Sequence, residues 1–368
     1  MKKVTVGNVI EFIEEIRKIT MDEKTAVVQR EEQLAYKKDL QLQIEEIKKR
    51  MHYEYKAANE KSNKNNRMSA SVEIGRLAIE LQMLLDMQER LKEDIVYRYV
   101  DKERRVFFYR GHYDAVQYKL IPSIMRTNKS GMSELHKEDY YYHQIKVQCP
   151  EAFINNNHMD QLVKMQHYNC PTRLLDVTGN PLVALYFACK NYGCKDCTLK
   201  NLGAVYVFNV PEKNVLYYDS DKVRMLASLP PLTYNEKADL WRECIKKTIE
   251  GKRFNNSNNT RVVEKLYHEI RTETPSFEKN IDPLDLISSY FVLPLKTNSR
   301  ILKQNGAFII NGLCMDSFDI EDRLKNMCCY KIEITNKDRI LEELDMLGIN
   351  EATLFPEMDK VADYLKQR

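Results

Sequence analysis

The spacing of apolar residues in the first quarter of the chain predicts helices. Within residues 5–19, branched and aromatic side chains recur at helical spacing between charged residues, which is the pattern of an amphipathic helix. Residues 22–97 contain no proline and a single glycine, Gly75, and apolar positions recur over 27–51 and again over 72–95. The asparagine-rich residues 59–66 between these stretches are typical of a turn. We therefore predict an inserted antiparallel helical hairpin.

From Arg105 onward the pattern alternates between short strands and helices. Runs of branched and aromatic residues predict strands at 106–109, 203–210, 290–294, 306–310 and 330–334. Helical patterns separate them, at 139–167 with a break at Pro150, and at 221–250, 262–271, 337–347 and 356–366. Because the strands are few and short, the predicted fold class is α+β, with a helix-rich body around a small mixed or antiparallel sheet.

The order of these elements divides the chain into three parts. Residues 1–21 hold the first helix of the body, residues 22–104 the inserted hairpin, and residues 105–368 the α+β body. The apolar stripes of the hairpin lack sustained heptads, so a long two-chain coiled coil is not expected. The hairpin either binds a partner or a second copy of the chain, or is a passive insertion.

The segment from Leu182 to Cys189 is apolar on every side, and a helix of that kind must be buried. Pro181 suits the first position of this helix, with Asn180 or Thr178 as its cap. The preceding tract, residues 166–176, carries ionisable and amide side chains, so these are placed at the rim of the core.

Composition excludes some classes of function. The 368 residues carry a net charge of only +3, which does not indicate a nucleic-acid partner. No apolar run is long enough to cross a bilayer, and nothing resembles a signal peptide, so we expect a cytoplasmic protein without a membrane partner. Nine cysteines fit reduced thiols. Cys194 and Cys197 have the spacing of half a zinc site, but a second such pair is missing, and no metal is expected.

The 166–176 tract favours an anionic ligand. Arg173 and the free amides at the start of the Pro181 helix would attract a group such as a phosphate. Alternatively, Arg173 and Asp176 form a buried ion pair that braces the core. A second segment ends in Arg110 and Gly111, where glycine would allow close backbone approach to a ligand. A salt bridge between Arg110 and Asp176 is the structural alternative.

These segments resemble the FRG domain, a family named for a phenylalanine/tyrosine-arginine-glycine signature. The signature here is Tyr109-Arg110-Gly111, followed by Leu120-Ile121-Pro122-Ser123 and Arg126. The tract from Gln166 to Asp176, with Asn180-Pro181 and residues 184–188, is similar to the longest motif of the family. Residues 304–308 and 353–356 resemble its late motifs. Asn169 and Val177 depart from the family pattern, where glycine and an aromatic residue are expected. The resemblance implies an effector role in phage defence or a toxin-like context.

A more distant resemblance, in the order of elements, is to ADP-ribosyltransferase-like folds. It implies that Arg110 binds the diphosphate of NAD, that Tyr109, Tyr113 or Tyr168 stacks on the nicotinamide, and that Gln304 orients a ribose hydroxyl. Transfer from NAD needs an anion near the departing nicotinamide, and Gln304 is neutral. In this interpretation Asp176 supplies the charge and His167 acts as a base.

The candidate catalytic residues are therefore His167, Asp176 and Gln304. The candidate residues for binding NAD are Tyr109, Arg110, Gly111, Ser123, Arg126, Thr172, Arg173, Asn180 and Arg300. Arg300 lies four residues before Gln304 and would share a helical face with it, whereas Ser123 and Arg126 have a helix cap and a surface charge as alternatives. Two functions follow: an NAD-cleaving or ADP-ribosyltransferase-like enzyme, or a non-enzymatic binding module whose hairpin is an interaction arm.

Overall fold

A computed structural model describes residues 2–22, 30–60, 104–127, 133–191, 202–255, 259–314 and 317–366, with positions 73, 75–78, 80–81 and 84–85. Most of the predicted 59–66 turn and the Cys194–Cys197 pair lie outside these residues. Among the described residues, no helix is both long and apolar enough to cross a membrane.

The centre of the fold is a mixed sheet of eight strands in the order β1-β8-β4-β2-β3-β7-β6-β5. The strands are β1 (Lys2–Val6), β2 (Arg105–His112), β3 (Leu174–Thr178), β4 (Gly203–Pro211), β5 (Val215–Tyr217), β6 (Ser289–Leu293), β7 (Gly306–Asn311) and β8 (Cys328–Ile334). The two edge strands pair in parallel, β1 with β8 and β5 with β6, and the other pairs are antiparallel.

The α+β class is confirmed, but the prediction of a small sheet was wrong. Three strands that the sequence analysis did not predict, β3 and the two edge strands β1 and β5, account for the missing width. Val4 and Val6 of β1 continue the apolar pattern of the following helix, and β5 has only three residues. The sequences of β1 and β5 therefore do not by themselves predict strands. Each segment is extended because it pairs with a strand that is distant in the sequence, β1 with β8 and β5 with β6.

The described α-helices are numbered in chain order. They are α1 (Val9–Asp22), α2 (Arg30–Glu60), α3 (Glu138–Gln148), α4 (His158–His167), α5 (Pro181–Cys189), α6 (Asp221–Ala227), α7 (Tyr234–Glu250), α8 (Arg261–Glu273), α9 (Pro283–Ile287), α10 (Ser299–Lys303), α11 (Ser317–Met327), α12 (Lys337–Met346), α13 (Glu351–Leu354) and α14 (Met358–Lys366). Short 3-10 turns lie at Ser123–Met125, Glu134–Lys137, Pro150–Phe153 and Glu212–Asn214. The predicted buried helix is confirmed as α5, and the Asn180 side chain caps it by accepting a hydrogen bond from the Leu182 amide.

Two apolar clusters share one face of the sheet. The cluster around α5, α1 and α12 covers β2, β4 and β8, whereas the cluster around α4 and α6 to α9 covers β3, β7 and β6. A third cluster covers the opposite face. The boundary between the first two clusters follows the junction of β2 and β3. On this face, one group of helices therefore packs on one half of the sheet and a second group packs on the other half.

Helix α2 packs on the body instead of standing free. Its apolar side joins the cluster that covers β3, and it lies against α7. The described helical residues between 75 and 81 join the same cluster through Leu77, Ala78 and Leu81. Arg50 of α2 also forms an ion pair with Glu73, at 3.3 Å. Because the residues that connect these two segments lie outside the described part, the antiparallel hairpin stays a prediction.

Candidate functional site

Strands β2 and β3 separate almost as soon as they meet. Their only paired residues are Tyr109 and Thr178, whereas all five residues of β3 pair with β7 on its other side. The Arg110 side chain fills the resulting gap. Its Nη1 donates a 2.5 Å hydrogen bond to the backbone carbonyl of Asp176 and lies 3.8 Å from that residue's carboxylate oxygen Oδ2. A guanidinium thus replaces the strand pairing at the centre of the sheet.

The cation and the anion of this pair differ in exposure. Only 14% of the Arg110 side chain is exposed, against 64% of the Asp176 side chain. Burial lowers the pKa of Arg110 to about 10, and Asp176 opposes that shift, so the guanidinium remains charged at neutral pH. Arg110 and Asp176 therefore do come together, with the carboxylate open to solvent.

The side chain of His112 forms a hydrogen bond with the Arg110 guanidinium. The Arg110 Nε donates to Nε2 of His112 at 3.0 Å, so that ring nitrogen is an acceptor. Burial, together with the charges of Arg110 and Arg126, lowers the pKa of His112 well below its usual value. Arg126 itself lies at the surface, where its Nε donates to the Ile121 carbonyl. His112 is thus held neutral and orients the guanidinium.

Gly111 and Tyr109 face the other way, toward α5. A Cβ atom on Gly111 would lie 2.0 Å from the Ala184 carbonyl oxygen, so the glycine lets α5 approach the strand closely. This differs from the predicted reason, which was approach to a ligand. Tyr109 is buried in the same cluster as α5, and burial raises the pKa of its hydroxyl to about 12.

Arg173 lies elsewhere, in a closed network. Its guanidinium is 1% exposed and forms two hydrogen bonds with the Glu138 carboxylate, at 2.9 and 2.5 Å. It also donates to the backbone carbonyl of Asn311, and Lys237 lies 2.9 Å from the same carboxylate. Burial raises the pKa of Glu138, but the two cations outweigh that effect and hold it below its usual value. Arg173 braces the core, but its partner is Glu138 and not Asp176.

Thr172 and Ser123 are also held within the core. The Thr172 amide donates to the Ser123 hydroxyl at 3.0 Å, and the Thr172 hydroxyl bonds the Gln166 side chain. These contacts fix the approach to β3. Asn169, in the loop before them, has a φ of 61°. That left-handed conformation explains why glycine suits this position in the FRG pattern and why asparagine can replace it.

The turn after β3 interlocks with the turn before β7. The Thr178 hydroxyl donates to the Gln304 carbonyl at 2.6 Å, and the Gly179 amide donates to the Asn305 carbonyl. The Gln304 side chain in turn donates from Nε2 to the Leu354 carbonyl at 3.1 Å. This leaves Oε1 of Gln304 as the acceptor on that side chain.

A second polar group surrounds His167, the last residue of α4. The Asn298 side chain accepts a hydrogen bond from the Arg300 amide through Oδ1, so its Nδ2 faces His167 Nδ1 at 3.1 Å. Since Nδ2 can only donate, His167 Nδ1 accepts, and a neutral ring carries its proton on Nε2. Burial and Arg300 lower the pKa of His167, while Glu357 opposes them. A lowered pKa favours a neutral His167 ring with an N–H group on Nε2, and its predicted role as a base stays a prediction.

Glu357 is an acidic residue that the sequence interpretation did not include. Its Oε2 atom is buried and has no hydrogen-bond partner, although its charge acts on His167. The Arg300 guanidinium stacks on the ring of Phe355, 4.4 Å from its centre, two residues before Glu357. An unpaired buried carboxylate oxygen is costly, which makes Glu357 a candidate functional residue. Its position directly after the late motif at 353–356 was the available clue.

Asp176 lies on the face of β3 that α4 covers, and its ion-pair partner among the described residues is Arg110. Leu174, Asp176 and Thr178 share one face of β3, and α4 packs on that face and ends at His167. Arg110 belongs to the opposite face but reaches Asp176 through the gap. Tyr168, beside His167, is exposed, whereas Tyr113 is buried under Lys337, whose Nζ lies 3.6 Å from the ring centre. In the described residues, no group of three or more histidine, cysteine, aspartate or glutamate side chains could hold a metal ion.

Comparison with known families assigns residues 105–197 to the FRG domain. This range contains the Arg110 signature, the 166–176 tract and α5, and it confirms the FRG resemblance over these residues. Arg300, Gln304 and Glu357 lie beyond the matched residues. Neither a curated protein nor a solved structure matches the chain.

Proposed function

We propose that this FRG-domain protein binds NAD and cleaves the bond between its nicotinamide and ribose. The observation that carries the proposal is the unpaired buried oxygen of Glu357, whose charge, like that of Arg300, acts on His167. Cleavage of an N-glycosidic bond develops positive charge on the ribose, and a carboxylate that has no other partner is suited to stabilise it.

The proposed reaction needs no further cofactor. The C–N bond breaks, nicotinamide leaves with the bonding electron pair as a neutral molecule, and an oxocarbenium-like ribose remains. Water then adds to this carbon and loses a proton, which yields ADP-ribose. A nucleophile on an acceptor would add in the same way and yield an ADP-ribosylated product. Glu357 stabilises the charged ribose in both cases.

The neighbouring groups have complementary roles in this proposal. The Arg110 and Arg300 guanidinium groups bind the diphosphate, because planar cations form strong hydrogen bonds with phosphate oxygens. The free Oε1 of Gln304 accepts a hydrogen bond from a ribose hydroxyl, and the Nε2–H of His167 donates one. Tyr168 is exposed next to His167 and presents a ring for the nicotinamide.

Nicotinamide release from NAD tests the proposal. We expect turnover by the intact chain and a fall of about 10² to 10³-fold in Glu357→Gln, the size of effect seen when one electrostatic partner of a transition state is removed. The matched control is Glu342→Gln, an exposed glutamate on α12. Equal turnover in the two variants, or no turnover by the intact chain with any acceptor protein, would overturn the enzymatic proposal.

A non-enzymatic binding module is the second candidate function. It is favoured by the solvent-facing side of α2, where Leu42 and Tyr53 are large, apolar and exposed. Exposed apolar side chains of this kind can contact a partner protein. Titration calorimetry with NAD distinguishes the two candidates. Binding that is lost in Arg110→Met, with no release of nicotinamide, would support the module. The effector role in phage defence is a further proposal, tested by phage challenge of cells that express the intact chain or Glu357→Gln.

A further inference from the structure

A cavity of about 230 Å³ lies at the end of α4 opposite to His167. It is lined by Asn157, Met159, Tyr218, Asp219, Arg224, Glu273 and Thr274. These residues come from the start of α4, the turn between β5 and α6, α6 itself and the end of α8. The ten residues of α4 span about 15 Å, so the cavity is separate from the His167 group.

Opposite charges line this cavity without pairing. The Arg224 guanidinium is one-third exposed, and its one hydrogen bond among the described residues is a long one, 3.5 Å to Asp221 within the same helix. No ion pair within 4.0 Å joins Arg224 to Glu273 in the described part of the chain. Opposite charges in a partly enclosed space normally form an ion pair, because they attract each other. The space between Arg224 and Glu273 can therefore hold a ligand that bridges the two side chains.

Among the described residues, no lysine or arginine lies within 4.0 Å of the Glu273 carboxylate, although the charges of Arg224 and Lys146 act on it from farther away. Its Oε1 accepts the backbone N–H of His158 and lies 3.4 Å from Nε2 of the same residue. Burial lowers the pKa of His158 to about 4, so the ring carries no positive charge at neutral pH. Burial also raises the pKa of Glu273. In addition, Glu273 is the last residue of α8, where the helix dipole disfavours a negative charge.

We propose that this cavity binds a small zwitterion of the free amino acid class. The ligand carboxylate pairs with Arg224, the ligand ammonium pairs with Glu273 and Asp219, and Met159 contacts the apolar part. The volume equals that of roughly eight water molecules at ~30 Å³ each, which matches a small to medium amino acid. The proposal goes beyond the NAD reaction and does not depend on it.

Thermal shift and titration calorimetry with each of the twenty standard amino acids test this proposal. We expect at least one to bind, and the corresponding amine without a carboxylate and acid without an amine to bind at least about tenfold more weakly, because each loses one charged contact. Arg224→Met and Glu273→Gln should each weaken binding to a similar extent. Glu273→Gln keeps an oxygen that can accept the His158 amide hydrogen, so the variant retains that helix contact.

The controls separate this site from the NAD site. Arg242→Met and Glu342→Gln change exposed residues of the same types, and Glu357→Gln changes the carboxylate proposed to stabilise the charged ribose. All three should bind the amino acid with the affinity of the intact chain. No shift with any of the twenty amino acids at millimolar concentration would overturn the proposal, as would equal affinity for the amine, the acid and the zwitterion.

Discussion

Two glutamates of this protein, Glu138 and Glu357, differ in what surrounds their buried oxygens. Glu138 is enclosed by two cations, and both of its oxygens accept hydrogen bonds from Arg173. Glu357 forms no ion pair within 4.0 Å among the described residues, and one of its oxygens is buried without a partner. The first arrangement is complete without a ligand, whereas the second has an unused acceptor.

The comparison shows why residue type alone did not identify the site. Arg173 and Arg110 occur in one family pattern and flank the same strand. The Arg173 guanidinium is buried and forms its hydrogen bonds with groups of the core. Arg110 lies at a gap in the sheet beside the exposed carboxylate of Asp176. Satisfied buried charges stabilise or orient the fold, and unsatisfied ones mark places where a ligand completes the structure.

The largest expected effect concerns the closed network. Glu138→Gln should lower the free energy of unfolding by about 3–5 kcal/mol, because two buried cations lose their counter-charge. Chemical denaturation measures this loss. The same substitution at Glu357 serves as the control and should not lower the free energy of unfolding, since no hydrogen bond is removed and the cost of an unpaired buried charge is relieved. A similar loss in both variants would contradict the distinction between the two glutamates.

The next effect concerns catalysis at the open group. Glu357→Gln should lower the turnover of NAD by about 10² to 10³-fold, equivalent to ~2.7–4 kcal/mol of transition-state stabilisation. Initial rates at saturating NAD measure it. A variant that loses activity only in proportion to a loss of folded protein would show that Glu357 is structural.

A smaller effect is expected for the residue that orients His167. In Asn298→Asp the side chain becomes an acceptor, so His167 Nδ1 must carry a proton, and the pKa of the ring should rise beside the new charge. The nitrogen chemical shifts of His167 report the tautomer without any substrate. We expect turnover to fall by about tenfold and its pH profile to shift upward. Unchanged nitrogen shifts would show that Asn298 does not set the tautomer.

The smallest effect is a dependence of stability on pH through His112. Burial, Arg110 and Arg126 lower its pKa in the folded state below the unfolded value of about 6.5. The folded protein therefore binds fewer protons, and stability present above pH ~6.5 falls as the pH drops, by at most ~1.4 kcal/mol per pH unit. His112→Gln should flatten the unfolding free energy between pH 7 and 5. An identical slope in the variant would assign the dependence to other groups.

Local patterns in the sequence determined much of the fold. The branched and aromatic runs marked β2, β4, β6, β7 and β8, and the all-apolar segment marked α5 with its Asn180 cap. The ordered motifs identified the FRG domain, and the pairing of Arg110 with Asp176 was among the alternatives stated from the sequence. The strands, the helix and its cap depend on side chains that are near one another in the sequence. The pairing of Arg110 with Asp176 could be stated because the chain offers few charged residues next to predicted strand ends.

Only the tertiary structure decided the rest. Strands β1 and β5 exist because β8 and β6 offer them edges, and Arg173 pairs with Glu138, which is 35 residues away. The charge of Glu357 acts on His167 although the two are far apart in the sequence, and the buried oxygen that distinguishes Glu357 has no signature in the sequence. Whether a charge is satisfied depends on which distant groups the fold brings within hydrogen-bond distance, and residue type and local spacing do not contain that information.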